Sequence, residues 1–309
     1  MEHTLNVLVK VISMMVFMLP GLVGRKINLV TEKDLKALTN VLLYLCTPFM
    51  VLSPFFKLER NFVMLVEMGL FFLLFTVLQL LFLLLMWSSV GREKEDFEGR
   101  IACVSAGFGN VGYIGMPIAL AMFPDEPIVP CFVSVAMISM NMICFTIGEY
   151  FVSGDRKFVS VRAALVNPAS IGFYVALPLY LLGINTKLPA CLADSITAIG
   201  NVCGPLSMII LGIRLASGKF SEIFSNGKAY LASAMKLIAF PLFSWGLLLV
   251  FPITPVLRAS LVIMSAVPAA SATLGIAEIH ENGTRVAANS LLLSTLLCVF
   301  TIPLITLLL

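Results

Sequence analysis

Gly107-Phe108-Gly109-Asn110-Val111-Gly112-Tyr113-Ile114-Gly115-Met116-Pro117 lies inside a segment apolar enough to cross a membrane. Glycines, an asparagine and a proline packed this closely cannot sustain an unbroken helical ladder. The backbone groups they free find no partners in hydrocarbon, so such a span must face protein or water. A broken membrane helix commonly serves to turn half-helix ends and loose backbone groups towards a small solute near the bilayer midplane. The stretch therefore points to a secondary transporter.

Composition agrees. With 60% hydrophobic and 12% charged residues and a mean hydropathy of +1.03, the chain is far from the globular average and reads as an integral membrane protein. The formal charge is only +3, and no basic stripe interleaved with aromatics occurs, which argues against nucleic acid as a partner. Cys46, Cys103, Cys131, Cys144, Cys191, Cys203 and Cys298 are scattered singly and read as small hydrophobes, with neither a disulfide framework nor a metal site. Because G-x-x-x-x-G-K-[ST], H-E-x-x-H and G-x-S-x-G are absent, no cofactor, ATP-driven step or enzymatic activity is expected.

Spans of about 20 apolar residues match the bilayer core. Ten are predicted, over residues 4–24, 35–56, 62–90, 100–123, 128–152, 163–183, 189–215, 228–251, 256–279 and 285–308. This is an all-α membrane fold, and the first run is read as a retained span because no convincing cleavage site follows it. If the N-terminus is outside, the inner loops carry Arg25, Lys26, Lys33, Lys36, Arg92, Lys94, Arg100, Arg156, Lys157, Arg162, Arg214, Lys219, Lys228 and Arg285. The outer side carries only Lys57, Arg60, Lys187 and Arg258. That asymmetry places both termini outside the cell membrane.

The chain also repeats itself. Leu19-Pro20 with Ile27-Asn28 recurs as Leu177-Pro178 with Ile184-Asn185, Cys46-Thr47-Pro48 as Cys203-Gly204-Pro205, and Pro117 has its counterpart at Pro268 in Ala266-Val267-Pro268-Ala269-Ala270-Ser271. The prolines recur in the same order and divide the chain into five-span halves, 1–155 and 156–309. Five is odd, so the second half enters the membrane from the other side, and the halves form inverted repeats. A single kink would carry little weight, since proline and glycine are common in membrane helices. Two interruptions at matching places point to a crossing at which each break supplies the other's missing partners.

The candidate substrate-binding residues are Asn110, Gly112, Pro117, Asn201, Pro268 and Ser271. A neutral amide at Asn110 can donate to a carboxylate without leaving an uncompensated charge in the empty site. Asn201 fits two readings equally well, a ligand or an interhelical hydrogen bond of on the order of 0.6 kcal/mol. Glu67, Glu149 and Lys236 lie close enough to span ends to snorkel to the membrane surface. Arg214 and Arg258 read as orientation signals. Runs such as Met14, Met15, Met18 and Phe71, Phe72, Phe75 read as packing or lipid-facing surface.

Asn110-Val-Gly-Tyr-Ile-Gly-Met-Pro117, followed by Ile-Ala-Leu, resembles the auxin efflux carrier family, whose bacterial members include malonate and malate carriers. The resemblance extends in order to Ile210-Leu-Gly212, Ala266-Val-Pro268, Ala277-Glu278 and Ile302-Pro303-Leu-Ile-Thr306. It implies a ten-span fold shared with bile acid sodium symporters, crossed fourth and ninth helices, and a homodimer. It further implies a scaffold of spans 1, 2, 6 and 7 against a moving domain of spans 3–5 and 8–10. The substrate carboxylate would meet Asn110 and the helix ends at Pro117 and Pro268. The function implied is elevator-type transport of small organic anions such as malonate, malate or auxin-like acids, with sodium or protons as conceivable coupling ions. A sensor without translocation, or a channel, is the alternative. Where plant members often carry an aspartate in the seventh span, this chain has Asn201, which puts proton coupling through a carboxylate there in doubt.

Overall fold

The computed structural model describes residues 2–91, 96–218 and 223–309. Arg92, Lys94 and Lys219, counted above among the loop charges, lie outside them. Among the described residues, eight helical segments of 22 to 30 residues are long and apolar enough to cross a membrane. They are α1 Thr4–Lys26, α2 Lys33–Lys57, α3 Phe62–Gly91, α6 Val129–Ser153, α7 Arg156–Leu181, α8 Ala190–Ser217, α9 Gly227–Leu248 and α12 Thr284–Thr306. The other two apolar segments are each split in two. The first forms α4 Phe97–Gly107 and α5 Gly115–Met122, the second α10 Pro255–Ala266 and α11 Ser271–Ile279. Apart from one isolated bridge, the described residues contain no strand pairing. The chain is an all-helical, multi-pass membrane protein.

Two groups of helices are distinguished by their contacts, and α1 touches both, packing on α8 and also on α5 and α12. In the first, α1, α2, α7 and α8 approach one another through glycines. Gly21 of α1 lies against the Ile209 carbonyl and Gly212 of α8 against the Met18 carbonyl, while Gly172 of α7 and Gly200 of α8 lie on the α2 backbone at Pro48 and Met50. Without a hydrophobic driving force between helices in lipid, such close backbone approach provides the dispersion contacts that hold them. Around the two breaks, α3, α4, α6, α9, α10 and α12 form the second group. Aromatic stacking ties α3 to its neighbours, Phe71 on Phe132 at 4.8 Å and Phe82 on Phe240 at 4.5 Å. Phe71 and Phe75 are therefore packing residues. Six of the seven cysteines are buried, and Cys191 alone is exposed.

Outside the membrane-spanning segments, Asp96 caps α4 by accepting from the Gly99 N–H at 2.9 Å and pairs with Lys228 of α9. The Lys228 ammonium, reinforced by that capping amide, holds the Asp96 carboxyl below its usual range. A depressed folded-state pKa stabilises the fold above the unfolded value of about 3.9 and stops doing so as pH falls through the folded value. Asp96→Asn should therefore lower the melting temperature of the purified protein near neutrality and differ less from wild type at about pH 3.5. An equal difference at both pH values would refute the linkage.

Two side chains expected to snorkel do not. Glu149 is 6% exposed and meets His280 at 2.9 Å between the ends of α6 and α11. Lys236 is completely buried. In both cases the neighbouring helix supplies a polar partner nearer than water, so the stem does not extend to the surface. Glu67 remains partly exposed, with the Thr254 hydroxyl 3.4 Å away.

Candidate functional site

Helix α4 stops at Gly107, and Phe108 is already extended at φ −106° and ψ 133°. Gly109 then pairs antiparallel with Ala269. The Asn110 N–H donates to the Pro268 carbonyl at 2.7 Å, and the Ala270 N–H to the Phe108 carbonyl at 3.1 Å. The Ala269 N–H donates to Ser294 Oγ at 3.0 Å. Each interruption thus satisfies backbone groups of the other in place of water, as buried polar groups require. From there the Asn110 carbonyl accepts from Ile114 and Gly115 at 3.3 and 3.1 Å, closing the turn that starts α5.

Gly109 stands where no side chain fits. A Cβ there would lie 2.7 Å from Val267 Cγ2 and 2.8 Å from Lys236 Nζ. The break occupies Phe108 to Ile114, ahead of Pro117. Pro117 lies instead in the first turn of α5, where a missing N–H removes no helical bond.

A cavity of about 460 Å³ adjoins the crossing, a volume in the range of small-molecule sites. The first break supplies Asn110, Gly112 and Tyr113, the second Ala270, Ser271 and Ala272, and the walls come from α2, α6, α7, α8 and α11. Most of the lining is apolar, with a few convergent polar groups. The Asn110 side-chain amide is 6% exposed and has no hydrogen-bond partner among the described residues. Ser271 opens α11, whose N-terminus no side chain caps, leaving first-turn amides and a partial positive charge of roughly half an elementary unit for an anion. Tyr113 is held by its hydroxyl to Thr47 at 2.9 Å, and Thr47 donates to the Leu42 carbonyl at 2.8 Å within a π-helical stretch of α2. At the far end Arg214 and Glu278, joined at 3.1 Å, tie α8 to α11.

Of the residues singled out from sequence, Asn110, Gly112 and Ser271 line the cavity; Pro117, Pro268 and Asn201 do not. Pro268 contributes its carbonyl to the crossing, and Pro117 packs near Gly204. Asn201 is exposed on another face of α8. The cavity stripe of that helix runs Ser207, Ile210, Leu211, Arg214 at helical spacing, and Asn201 falls off it. Sequence reasoning missed Asn141 of α6 and Asn167 of α7, which meet at 3.2 Å in the cavity wall. Asn141 carries the signal that picked out Asn110, an amide inside an apolar run. Arg214, read as an orientation signal, is also a wall residue.

A multi-pass helical chain in which two broken segments satisfy each other beside a solute-sized cavity belongs to the class of membrane transporters. The model of the membrane transport protein family, the auxin efflux carriers, matches residues 6–153 and 155–306, and the chain belongs to that family. It is 23% identical over 290 residues to the uncharacterized transporter MJ1031 of Methanocaldococcus jannaschii, covering 92% of this chain and 93% of that protein. It is also 27% identical over 221 residues to the uncharacterized transporter YfdV of Escherichia coli, covering 69% and 68%.

Proposed function

We propose that this protein is a secondary-active carrier of small organic anions, working by an elevator-type displacement within ten spans arranged as two inverted five-helix repeats. The observation that carries the reading is the unpartnered Asn110 amide beside the uncapped α11 N-terminus, both on one cavity at the crossing. Donors without acceptors, in a mostly apolar pocket, suit a carboxylate. The helices packed through glycines, α1, α2, α7 and α8, act as the scaffold, and the group around the crossing moves. The cavity lining includes Thr39, Arg214 and Glu278, close to helix ends joined by arginine- and lysine-rich loops, which supports an opening towards the cytoplasm when both termini are outside the cell membrane. A homodimer accounts for Asn201, whose exposed amide in the interior of α8 needs a partner away from lipid.

Proteoliposomes test this directly, with labelled malonate, malate and indole-3-acetate as probes. Saturable uptake and counter-exchange are expected for at least one acid. Losing a hydrogen bond to a charged group costs about 1.5–3 kcal/mol, so Asn110→Ala should weaken transport about tenfold or more. Unchanged transport in the variant removes Asn110 from the site, and non-saturating flux without exchange makes the protein a channel.

A further inference from the structure

Lys236 lies fully buried beside the crossing. It sits in a π-helical stretch of α9, Met235–Ala239, a local widening often found at functional sites. Its Nζ donates to the Ser265 carbonyl at 3.0 Å and lies 4.5 Å from the Phe240 ring centroid. No carboxylate pairs with it among the described residues. Ser265 belongs to the last turn of α10, so the ammonium rests on the negative end of a helix dipole and on a π face, both of which stabilise a cation.

The other half of the chain has a neutral counterpart. Gln79, 157 positions earlier, directs Nε2 at 3.4 Å towards the carbonyl of Gly107, the last residue of α4. The two side chains approach equivalent helix ends, and one of them adds a charge.

That charge is uncompensated where it matters. Among the described residues, the only ionic ones lining the cavity are Arg214 and Glu278, which neutralise each other. Lys236 does not itself line it, but Gly109 does, and a Cβ on Gly109 would come within 2.8 Å of Nζ. A single layer of backbone therefore separates the ammonium from the space beside Asn110.

The geometry points to Lys236 as the built-in counter-cation of the substrate site, acting through the Gly109 backbone to hold an anion at the crossing. The inference rests on the organic-anion reading above and assigns the charge that makes the site selective for anions. Lys236 is a positioning residue; it does not touch the solute. At about 8 Å and an effective dielectric of about 20, one such charge changes the binding of a monoanion roughly thirtyfold, and that of a dianion more.

Lys236→Gln reproduces the cap that Gln79 makes in the other half and removes only the charge. Calorimetric titration of the detergent-purified protein with malonate and with its singly charged monoethyl ester separates charge from shape. The expected result is a Kd at least tenfold higher for the ester, a larger rise for malonate, and recovery of both in Lys236→Arg. An unchanged Kd in a folded Lys236→Gln overturns the inference and leaves the anion reading intact, as does an equal rise for both probes. If Lys236→Gln and Lys236→Met both fail to fold while Lys236→Arg folds, the residue serves structure alone and the inference is wrong. If the wild type binds neither probe nor indole-3-acetate, the anion reading fails and the inference with it.

Discussion

Gly109→Val is expected to abolish transport in proteoliposomes and to lower the melting temperature. The first added carbon would already lie 2.7 Å from Val267 Cγ2 and 3.0 Å from Lys236 Cε. The branched remainder has nowhere to go unless the two breaks separate. Overpacking a filled site costs about 1–3 kcal/mol. Separation here also strips the Asn110 and Ala270 amides of the Pro268 and Phe108 carbonyls, and unpaired buried polar groups cost about 1–3 kcal/mol each. Lys236 would in addition be pushed from the Ser265 carbonyl. Uptake assays and thermal melts on the same preparation check the result. Wild-type transport with Gly109→Val would mean that the paired breaks are not required for turnover.

The second large effect belongs to the glycine-packed helices. Gly212→Leu is expected to prevent accumulation of folded protein, because a Cβ at that position would overlap the Met18 carbonyl oxygen and lie 2.9 Å from its carbon. A backbone group cannot move aside as a flexible side chain can. Helices α1 and α8 must part, and the matching contact of Gly21 on the Ile209 carbonyl opens with them. A loss of about 3 kcal/mol is the upper part of the usual overpacking range and a large share of a typical stability. Gly246→Leu is the internal control, since a Cβ there meets nothing within 4 Å and membrane yield should hold. Size-exclusion profiles of the two variants make the comparison, and equal profiles would contradict the packing argument.

The contrast between these glycines shows which features a linear reading can reach. Gly109 and Gly112 stood out because they cluster with Asn110 and Pro117. Nothing around Gly21 and Gly212 in the sequence shows their packing role, which depends on a backbone nearly two hundred positions away. Pro117 and Pro268 pointed to matching interruptions, yet Pro117 starts a helix rather than ending one. A proline marks where a helical ladder lacks a donor; it does not mark which side of it the chain becomes extended.

Glu149 and Lys236 were misread for a common reason. Distance from a span end predicts how far a side chain must reach for water, but not whether a partner waits nearer. Lys236 had the Ser265 carbonyl and the Phe240 ring beside it, so it stayed inside. Glu149 had the His280 ring at 2.9 Å and stayed inside as well.

What the sequence by itself determined is the solvent of the fold and the places where its helices fail. Hydrophobic run length is matched to bilayer thickness, and glycine and proline act on the chain locally. What only the tertiary structure decided is the company each polar group keeps: Gly109 opposite Ala269, Lys236 behind Gly109, Arg214 against Glu278. Those pairings join residues far apart in the chain. They follow from how helices of fixed length dock side by side, which hydropathy and spacing do not encode.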